Sequence, residues 1–341
     1  MSDKRANDFF YPGNAVHGEP DYGLAENFVR AAEALVNALY HKIKTIQYKD
    51  MKTLSFSIIL LLLCAPFELC AKKKKIDYPR AEIKVSYKYP HKHLKTDAKA
   101  YDIEHNMILL ANSGYSKFYS PLTEYIDSLD STPSGQAIRN RMLIEGIKKA
   151  RETGDYSYVP KKNGSMYVFK NSGDSSVTVY DQAGMLEQGY YTEPLAEMVW
   201  EVGDSIKTVL GYECIMAETD YHGRHWTVWF TPDIPLQDGP WKLCGLPGLI
   251  LEASESTGQH QFIADGIEQS SQTIMPIYSP KKYDRKKRKD MLRDMRSYLT
   301  NGNTLVNAFL SNTPSGEKIE IKNEPVDSPD LHVDFLETDY H

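Results

Sequence analysis

The sequence predicts an α+β fold dominated by β structure, in which a curved, half-barrel-like antiparallel sheet carries a few covering helices. Tyrosine, which favours half-buried sheet surfaces, occurs 23 times in 341 residues. Several short segments alternate apolar and polar residues between turn signals, as half-buried strands do. Helical spacing of apolar residues is confined to a few regions, so we expect sheet to dominate.

The first strands and helices can be assigned from the spacing of apolar residues along the sequence. Residues 81–89 alternate apolar and polar side chains, and residues 105–112 form an apolar run, so both are predicted strands. A turn at Gly114 precedes a third strand at 116–119. The apolar spacing of 122–151 predicts helices, with a break at 131–135, where Pro and Gly stand among Ser and Thr.

Short strands continue towards the C-terminus, and one further helix follows them. The predicted strands are 165–170 and 176–180, which form a hairpin, then 198–200 and 205–210, and a last one at 331–335. Residues 281–299 are predicted to form a helix whose first half, 281–289, is very basic. This basic run either contacts an anionic membrane or partner, or is a solvated helix face.

Net charge limits the function classes. The formal net charge is -6 and the pI is about 6.0. A nucleic-acid-binding protein usually has a strongly basic surface, so this class is disfavoured.

An apolar segment at 54–67 follows Met51 and Lys52 and ends near Ala71, which is typical of a cleaved secretory signal. It is too short for a comfortable membrane span. We therefore divide the chain into an N-terminal extension (1–50), a signal peptide (51–71) and a mature domain (72–341) with no stable transmembrane span. The extension is either an artefact of a start at Met51 or a cytoplasmic tail with 54–67 as a signal anchor. The expected location is periplasmic or secreted.

Two cysteines, Cys214 and Cys244, remain after signal removal. In an exported protein an even pair favours a disulfide, which would stabilise the fold by roughly 3–4 kcal/mol. The alternative is two buried free thiols.

Residues 209–253 carry more structural signals than any other part of the sequence, beginning with a predicted hairpin of strands 212–219 and 224–231 around a turn at 220–223. Large side chains fall on both faces of its second strand, which we therefore expect to be central and covered on both sides. One face carries Arg224, Trp226, Val228 and Phe230, and the other His225, Thr227, Trp229 and Thr231.

Residues 209–253 resemble the GLPGLI family, named for the hexapeptide that stands here at Gly245–Ile250. The other matching elements are Gly211–Tyr212, Cys214, Ala217, Gly223–Arg224, Trp229–Thr231, Ile234–Pro235 and Gly239–Lys242. The resemblance implies a secreted or periplasmic protein of Bacteroidetes-type bacteria. It implies no activity.

The hexapeptide Gly245, Leu246, Pro247, Gly248, Leu249 and Ile250 reads as a structural corner. Glycine permits positive φ or a close backbone approach, and Pro247 fixes its own φ and restricts Leu246. We expect a rigid turn into a buried strand, with Trp241 packed nearby. No Lys-Ser/Thr pair follows, so a phosphate-binding loop is disfavoured.

No catalytic residue, metal site or cofactor is predicted. There is no Gly-x-Ser-x-Gly elbow and no HExxH, CxxC or calcium-loop spacing. His91 with His93, and His222 with His225, supply only two imidazoles each, and a closed site usually needs four ligands. Arg224 is expected to pair with Asp220 or Asp233, or else to bind an anionic group.

The leading hypothesis is an exported, non-enzymatic envelope protein that binds a protein partner or an apolar ligand. A curved sheet carrying a helix is similar to periplasmic lipoprotein carriers at the level of the fold alone. By a separate and equally loose association, outer-membrane transport machinery is the suggested partner. Binding residues would include Arg224, Trp226, Trp229 and Trp241. The alternative is a metal protein or hydrolase centred on His222, Arg224, His225 and Asp233. An apolar concavity would favour the carrier, and convergent polar groups in a cleft would favour the enzyme.

Overall fold

The structure is a computed structural model that describes residues 77–94, 100–155, 158–160, 162, 164–184, 187–195, 198–298 and 335–340. The extension, the signal segment and almost all of the strand predicted at 331–335 lie outside these residues.

The described strands form one twelve-stranded sheet, which is antiparallel except where the short last strand runs parallel to its neighbour. Its order is β12-β6-β5-β4-β3-β2-β1-β11-β10-β9-β8-β7. The strands are β1 (Ile83–Leu94), β2 (Ala100–Ala111), β3 (Tyr115–Tyr119), β4 (Tyr167–Asn171), β5 (Ser176–Gln182), β6 (Gln188–Pro194), β7 (Glu201–Val209), β8 (Tyr212–Tyr221), β9 (Arg224–Thr231), β10 (Leu249–Glu255), β11 (Gln261–Gln269) and β12 (Tyr283–Arg285).

The predicted β-dominated fold with a curved antiparallel sheet is confirmed. Most of the alternating segments are strands, but residues 198–200 are not. Sequence reasoning missed β6 and β11. Gly189 and Pro194 interrupt the pattern in β6, and Gly266 interrupts it in β11.

Two helices follow β3: α1 (Pro121–Asp130) and α2 (Pro133–Thr153). Each has Pro in its first turn, and Ser120 and Thr132 cap them by accepting hydrogen bonds from backbone N–H groups. The break between them is therefore shorter than predicted.

The C-terminal helix begins later than predicted, because residues 280–282 form a 3₁₀ turn and β12 follows it; residues 288–298 are helical. Among the described residues, no helix combines the length and apolar character that a membrane crossing requires.

The sheet curls around a large apolar core. Buried side chains from β5 and β6, near one end of the sheet, belong to the same cluster as side chains from β8 and β9, near the other. Residues 232–248, called the inner loop below, contribute Leu236, Trp241, Leu243 and Leu246 to that cluster. The concave side of the sheet is therefore filled by the chain itself.

A second, smaller cluster packs on the opposite face of the sheet. It contains Tyr119 and Tyr167 from the strands and Ile274 and Ile277 from the segment before β12. Helix α1 is tied to this face, because Lys117 pairs with Glu124.

Strand β9 is central, as predicted, between β8 and β10. The expectation that both of its faces are covered is wrong. Trp226, Val228 and Phe230 are buried on the inner face, whereas His225 is exposed on the outer face and Trp229 is half-buried there. Large aromatic residues on both faces do not require burial on both, because a long charged side chain can cover a ring at the surface, as Lys207 covers Trp229.

Candidate functional site

The hexapeptide is a corner, as its glycines predict. Gly245 has a φ of +94°, which is in the region that favours glycine. Gly248 has an ordinary φ, but a Cβ there would lie 2.1 Å from the backbone oxygen of Thr231. Leu249 and Ile250 then enter β10 fully buried. One glycine supplies positive φ and the other a close approach.

Lys170 of β4 holds the inner loop from across the core. Its ammonium donates to the backbone oxygens of Gly239 (2.8 Å), Trp241 (3.0 Å) and Leu243 (3.3 Å). It also forms an ion pair with Asp238, although its side chain is only 3% exposed. Trp241 has a φ of +52°, which is unusual for a bulky residue, and these bonds help to hold it there.

The candidate site is a group of ionisable side chains where the two ends of the sheet approach each other. We call it the charged cluster. It consists of Glu193, His222, Lys242, Arg288, Glu337 and Asp339. These residues come from β6, the β8–β9 turn, the inner loop, the C-terminal helix and the segment 335–340.

The β8–β9 turn brings His222 into the cluster. His222 and Gly223 both have positive φ, 50° and 80°, the pattern of a tight two-residue hairpin turn. The segment 335–340 docks on this turn, because Thr338 N–H donates to the His222 carbonyl oxygen (2.9 Å) and Thr338 Oγ1 donates to that of Gly223 (3.0 Å).

Lys242 is the centre of the charged cluster and is fully buried. Its ammonium pairs with Glu193 and lies 2.7 Å from Glu337 Oε1. Tyr191 Oη donates to the same Glu337 oxygen over 2.8 Å, and the Tyr191 ring centroid is 4.8 Å from Lys242 Nζ.

Arg288 neutralises the other side of the cluster. Its guanidinium binds Asp339 in a bidentate manner, with both N–O distances 2.7 Å, and also contacts Glu337. His222 faces Asp339 through Nδ1 (3.2 Å) and Glu193 through Nε2 (3.3 Å). One ammonium, one guanidinium and one imidazole therefore oppose three carboxyl groups.

The carboxylates are held in their charged form. Burial raises the pKa of Glu193, but hydrogen bonding from His222 and the charge of Lys242 outweigh it and bring the pKa to about 2. Burial likewise raises the pKa of Glu337, and Lys242 and His222 outweigh it, so the net pKa is lowered. The pKa of Asp339 is lowered, because Arg288 and His222 outweigh its burial.

A divalent cation is a poor fit for this cluster. His222, Glu337 and Asp339 place one ligand atom each within 4.8 Å of one another, and this donor set could hold a metal. However, Lys242 and Arg288 already occupy the oxygens of the two carboxylates. A bound cation would have to displace the buried ammonium of Lys242 and the half-buried guanidinium of Arg288 from these oxygens, which is costly.

Arg224 is paired structurally, but not with the predicted partners. Its guanidinium lies 3.0 Å from Glu255 in an ion pair that is almost completely buried, and it donates to the carbonyl oxygens of Phe335 and Leu336. Asp220 cannot be its partner, because Asp220 lies opposite His225 in the hairpin and shares the outer face with it.

The alternative active site is not assembled. His222 belongs to the charged cluster and Arg224 to the ion pair with Glu255. His225 is exposed on the outer face, where its Nδ1 is 2.8 Å from Asp220. Asp233 is exposed beyond the end of β9. Neighbouring sequence positions on opposite faces of a strand cannot converge on one substrate.

The tryptophans suggested as binding residues have different environments. Trp226 and Trp241 are buried in the main core, with ring centroids 5.5 Å apart. Trp229 is half-buried on the outer face, and Lys207 Nζ lies 4.3 Å from its ring centroid.

The predicted disulfide is not formed, since Cys214 and Cys244 are free, buried thiols. Cys214 is fixed in β8 opposite Lys207, whereas Cys244 is fixed in the inner loop by the bond from Trp200 Nε1 to its carbonyl oxygen (3.0 Å). Different elements therefore hold the two sulfurs beyond bonding distance. Burial raises the pKa of both thiols, that of Cys244 to about 11, so both are protonated at neutral pH.

A group of stacked imidazoles lies at the far end of β1. The ring of His91 is 4.7 Å from that of His105 and stacks on that of His260 at 6.3 Å, and Tyr89 Oη is 2.8 Å from His260 Nδ1. The side chain of His93, the other half of the predicted pair, is outside the described residues.

Sequence reasoning missed most of the charged cluster. Lys242 was noted only as part of a family motif and Arg288 only as part of the basic run 281–289, and Glu193, Glu337 and Asp339 carried no local signal. Only His222 was singled out. These residues lie far apart in the chain, as His222 and Asp339 do at a separation of 117 positions, and no spacing rule connects them.

Acid is expected to destabilise the protein through the charged cluster. The folded-state pKa of Glu193 is about 2, and the unfolded value is roughly 4.3. Its stabilising contribution is therefore complete above pH 4.3 and is lost as the pH falls towards 2. Urea unfolding between pH 7 and pH 2 should show this loss, and Glu193→Gln should reduce it. The exposed Glu145→Gln is the control. Equal pH dependence in all three proteins would refute this prediction.

The fold and the charged cluster together define a curled β-sheet protein whose interior is closed by its own loop and whose ends are joined by buried ion pairs. Residues 221–252, from the β8–β9 turn into β10, match a family model described as a protein of unknown function (Porph_ging). The hexapeptide lies within this match. In the comparison with curated proteins, nothing matches the chain.

Among solved structures, the chain is similar to PNGF-II in two crystal forms. For the C2 form the TM-score is 0.39 and the identity 13%, and the match covers 63% of this chain and 33% of that one. For the P2₁ form the TM-score is 0.40 and the identity 15%, with coverage of 64% and 34%. The chain thus spans about a third of the length of these structures, and the likeness carries no functional argument.

Proposed function

We propose that the chain is an exported, non-enzymatic protein of the cell envelope that binds a protein partner. One observation carries the proposal: the convergent charged groups neutralise one another. Lys242 and Arg288 occupy the carboxylates of Glu193, Glu337 and Asp339. Groups that are paired within the chain hold the segment 335–340 in place and leave little charge to act on a substrate.

The packing favours a protein partner over an apolar ligand. A carrier needs an apolar concavity, and here the inner loop fills the concave side with Leu236, Trp241, Leu243 and Leu246. Exposed aliphatic side chains gather instead at the end of the sheet. Val199 is 82%, Val202 56% and Ile206 60% exposed. Exposed aliphatic groups at one place often mark an interaction surface.

Export is supported by the segment 51–71, whose basic start and apolar run are those of a secretory signal. The resemblance to the GLPGLI family supports the same location. An envelope protein, such as a component of outer-membrane transport machinery, is the partner that this location suggests.

The test combines fractionation with cross-linking in the envelope of a Bacteroidetes-type host. The exported protein should begin at Lys72. A photoreactive residue at Ile206 should yield a discrete protein adduct in the envelope fraction, because this side chain is exposed at the end of the sheet.

Two controls make this test specific. Ile144 of α2, which is 68% exposed, should give no adduct when it carries the same photoreactive group. Arginine at both Leu61 and Leu62 should keep the chain in the cytoplasm, because charges interrupt the apolar segment. An unprocessed cytoplasmic chain, or equal adducts at Ile206 and Ile144, would contradict the proposed function.

A further inference from the structure

Strand β7 leaves a long edge of the sheet open. The sheet ends at β12 and β7. β12 has only three residues, whereas β7 has nine. In the described part of the chain, no strand pairs with the outer side of β7. An open edge presents unpaired backbone N–H and C=O groups that can accept another strand.

The apolar surface of the core continues to this edge. Val202 lies opposite the buried Ala217, and Ile206 lies opposite Ile215, so both point to the inner face. They are nevertheless 56% and 60% exposed, and Val199, just before β7, is 82% exposed. An added strand would cover these side chains.

The pairing of β7 with β8 is irregular between Val202 and Ile206, but among the described residues no free lysine protects this edge. Natural edges often carry an exposed lysine that makes strand addition unfavourable. The lysine of β7, Lys207, is instead tied to Glu252 and lies over the Trp229 ring. Its charge is therefore already used within the sheet.

The charge that remains at the edge is negative. Glu201 lies directly opposite Glu218, a like-charge pair that destabilises the sheet. Asp204 follows in the same strand, and neither Glu201 nor Asp204 has an ion pair among the described residues. The hydrogen bond that His225 donates to the Asp220 carboxylate raises the pKa of His225 most, and Glu218 and Glu201 add to this increase. A cation from outside would relieve this repulsion.

We propose that β7 binds an extended segment of a protein partner in which apolar and basic residues alternate, and that this segment adds to the sheet as a further strand. Its backbone would pair with β7, its apolar residues would cover Val202 and Ile206 on the inner face, and its basic residues would lie on the outer face, where Glu201 is. The proposal rests on the proposed function and names the surface and the partner chemistry. A second copy of the chain fits less well, because it would bring another Glu201 and Asp204 to an edge that is already acidic.

The test uses purified protein and a fluorescent synthetic peptide of alternating lysine and valine, with anisotropy as the readout. The peptide should bind, and a glutamate–valine peptide should not. N-methylation of alternate peptide bonds should weaken binding at least about tenfold, because it removes backbone hydrogen bonds to the edge. Hydrogen exchange should slow in β7 when the peptide is bound.

Matched variants locate the site. Glu201→Lys with Asp204→Lys should weaken binding about tenfold or more, whereas Glu145→Lys on α2 should not. Ile206→Lys should weaken it, whereas Ile144→Lys should not. These five positions are exposed, so folding should be preserved, and circular dichroism checks this.

Three outcomes would overturn the inference: no binding of the lysine–valine peptide, equal binding of the N-methylated peptide, or a concentration-dependent dimer through β7 that the peptide does not dissociate. The proposed function is tested separately, by export and by the Ile206 adduct. A specific adduct with no peptide binding would leave that function standing and remove only the strand-addition inference.

Discussion

Replacing Gly248 by alanine is expected to lower the free energy of unfolding by about 3 kcal/mol or more, at the upper end of the range for overpacking. The new Cβ would lie 2.1 Å from the oxygen and 2.6 Å from the carbonyl carbon of Thr231, and 3.0 Å from Cα of Pro232. These are backbone atoms at the end of β9, where Thr231 pairs with Leu249 of β10. No side-chain rotation can relieve the overlap, so the strand pairing itself has to shift. Urea denaturation followed by tryptophan fluorescence measures the effect.

Two further glycine-to-alanine variants provide a scale against which the loss of stability in Gly248→Ala can be compared. Gly245→Ala should cost about 1–2 kcal/mol, because its φ of +94° is strained for alanine, while the new Cβ would lie a comfortable 3.7 Å from Trp200 Nε1. Gly114→Ala should be nearly neutral, because a Cβ there meets only Asn112 Oδ1 at 3.7 Å. If Gly248→Ala were as stable as Gly114→Ala, the close approach would not be a determinant of the corner.

The sequence predicts this corner because its causes are local. The conformational freedom of glycine and the restriction that Pro247 places on Leu246 act within a few residues. The burial of Leu249 follows from the apolar run that continues the hexapeptide. The same holds for β1 and for the β8–β9 hairpin, in which alternation fixes the two faces.

The alternation of side chains in the β8–β9 hairpin is enough to exclude Asp220 as the partner of Arg224. A two-residue turn at His222 and Gly223 places Asp220 opposite His225, so Asp220 has to lie on the outer face, away from Arg224. Its true partner, Glu255, lies in the next strand along the sheet, near a turn that the Glu255 carboxylate stabilises by accepting hydrogen bonds from Thr257 and Gln259. Identifying Glu255 requires the β9–β10 register, which the sequence does not supply.

The charged cluster and the position of the two cysteines could not be predicted from the sequence. The cluster forms because the sheet curls until β6 approaches the β8–β9 turn, and curvature has no signature in a single strand. Cys214 and Cys244 were paired by an argument from compartment, which carries no information on distance. The curvature of the sheet brings Lys242 into contact with Glu193. The same long-range geometry keeps the sulfurs of Cys214 and Cys244 apart.

Replacing Lys170 by methionine is expected to lower the free energy of unfolding by about 3–5 kcal/mol, the usual cost of removing one partner of a buried ion pair. The change leaves the carboxylate of Asp238 without its cation and takes a donor from the backbone oxygens of Gly239, Trp241 and Leu243. Methionine fills a similar volume, so the loss measures polar contacts and not a cavity. Urea denaturation at neutral pH gives the value.

Lys84→Met is the matched control, because Lys84 is also a strand lysine with an acidic partner, Glu268, but this pair is exposed to solvent. Its loss should be at most about 1 kcal/mol. Adding Asp238→Leu to Lys170→Met should restore part of the stability, because the uncompensated buried charge is removed while the carbonyl oxygens stay without their donor. Equal losses for Lys170→Met and Lys84→Met would mean that the inner loop is held by its apolar packing alone. In that case the positive φ of Trp241 would have to be maintained by the rings around it, those of Tyr221 and Trp226.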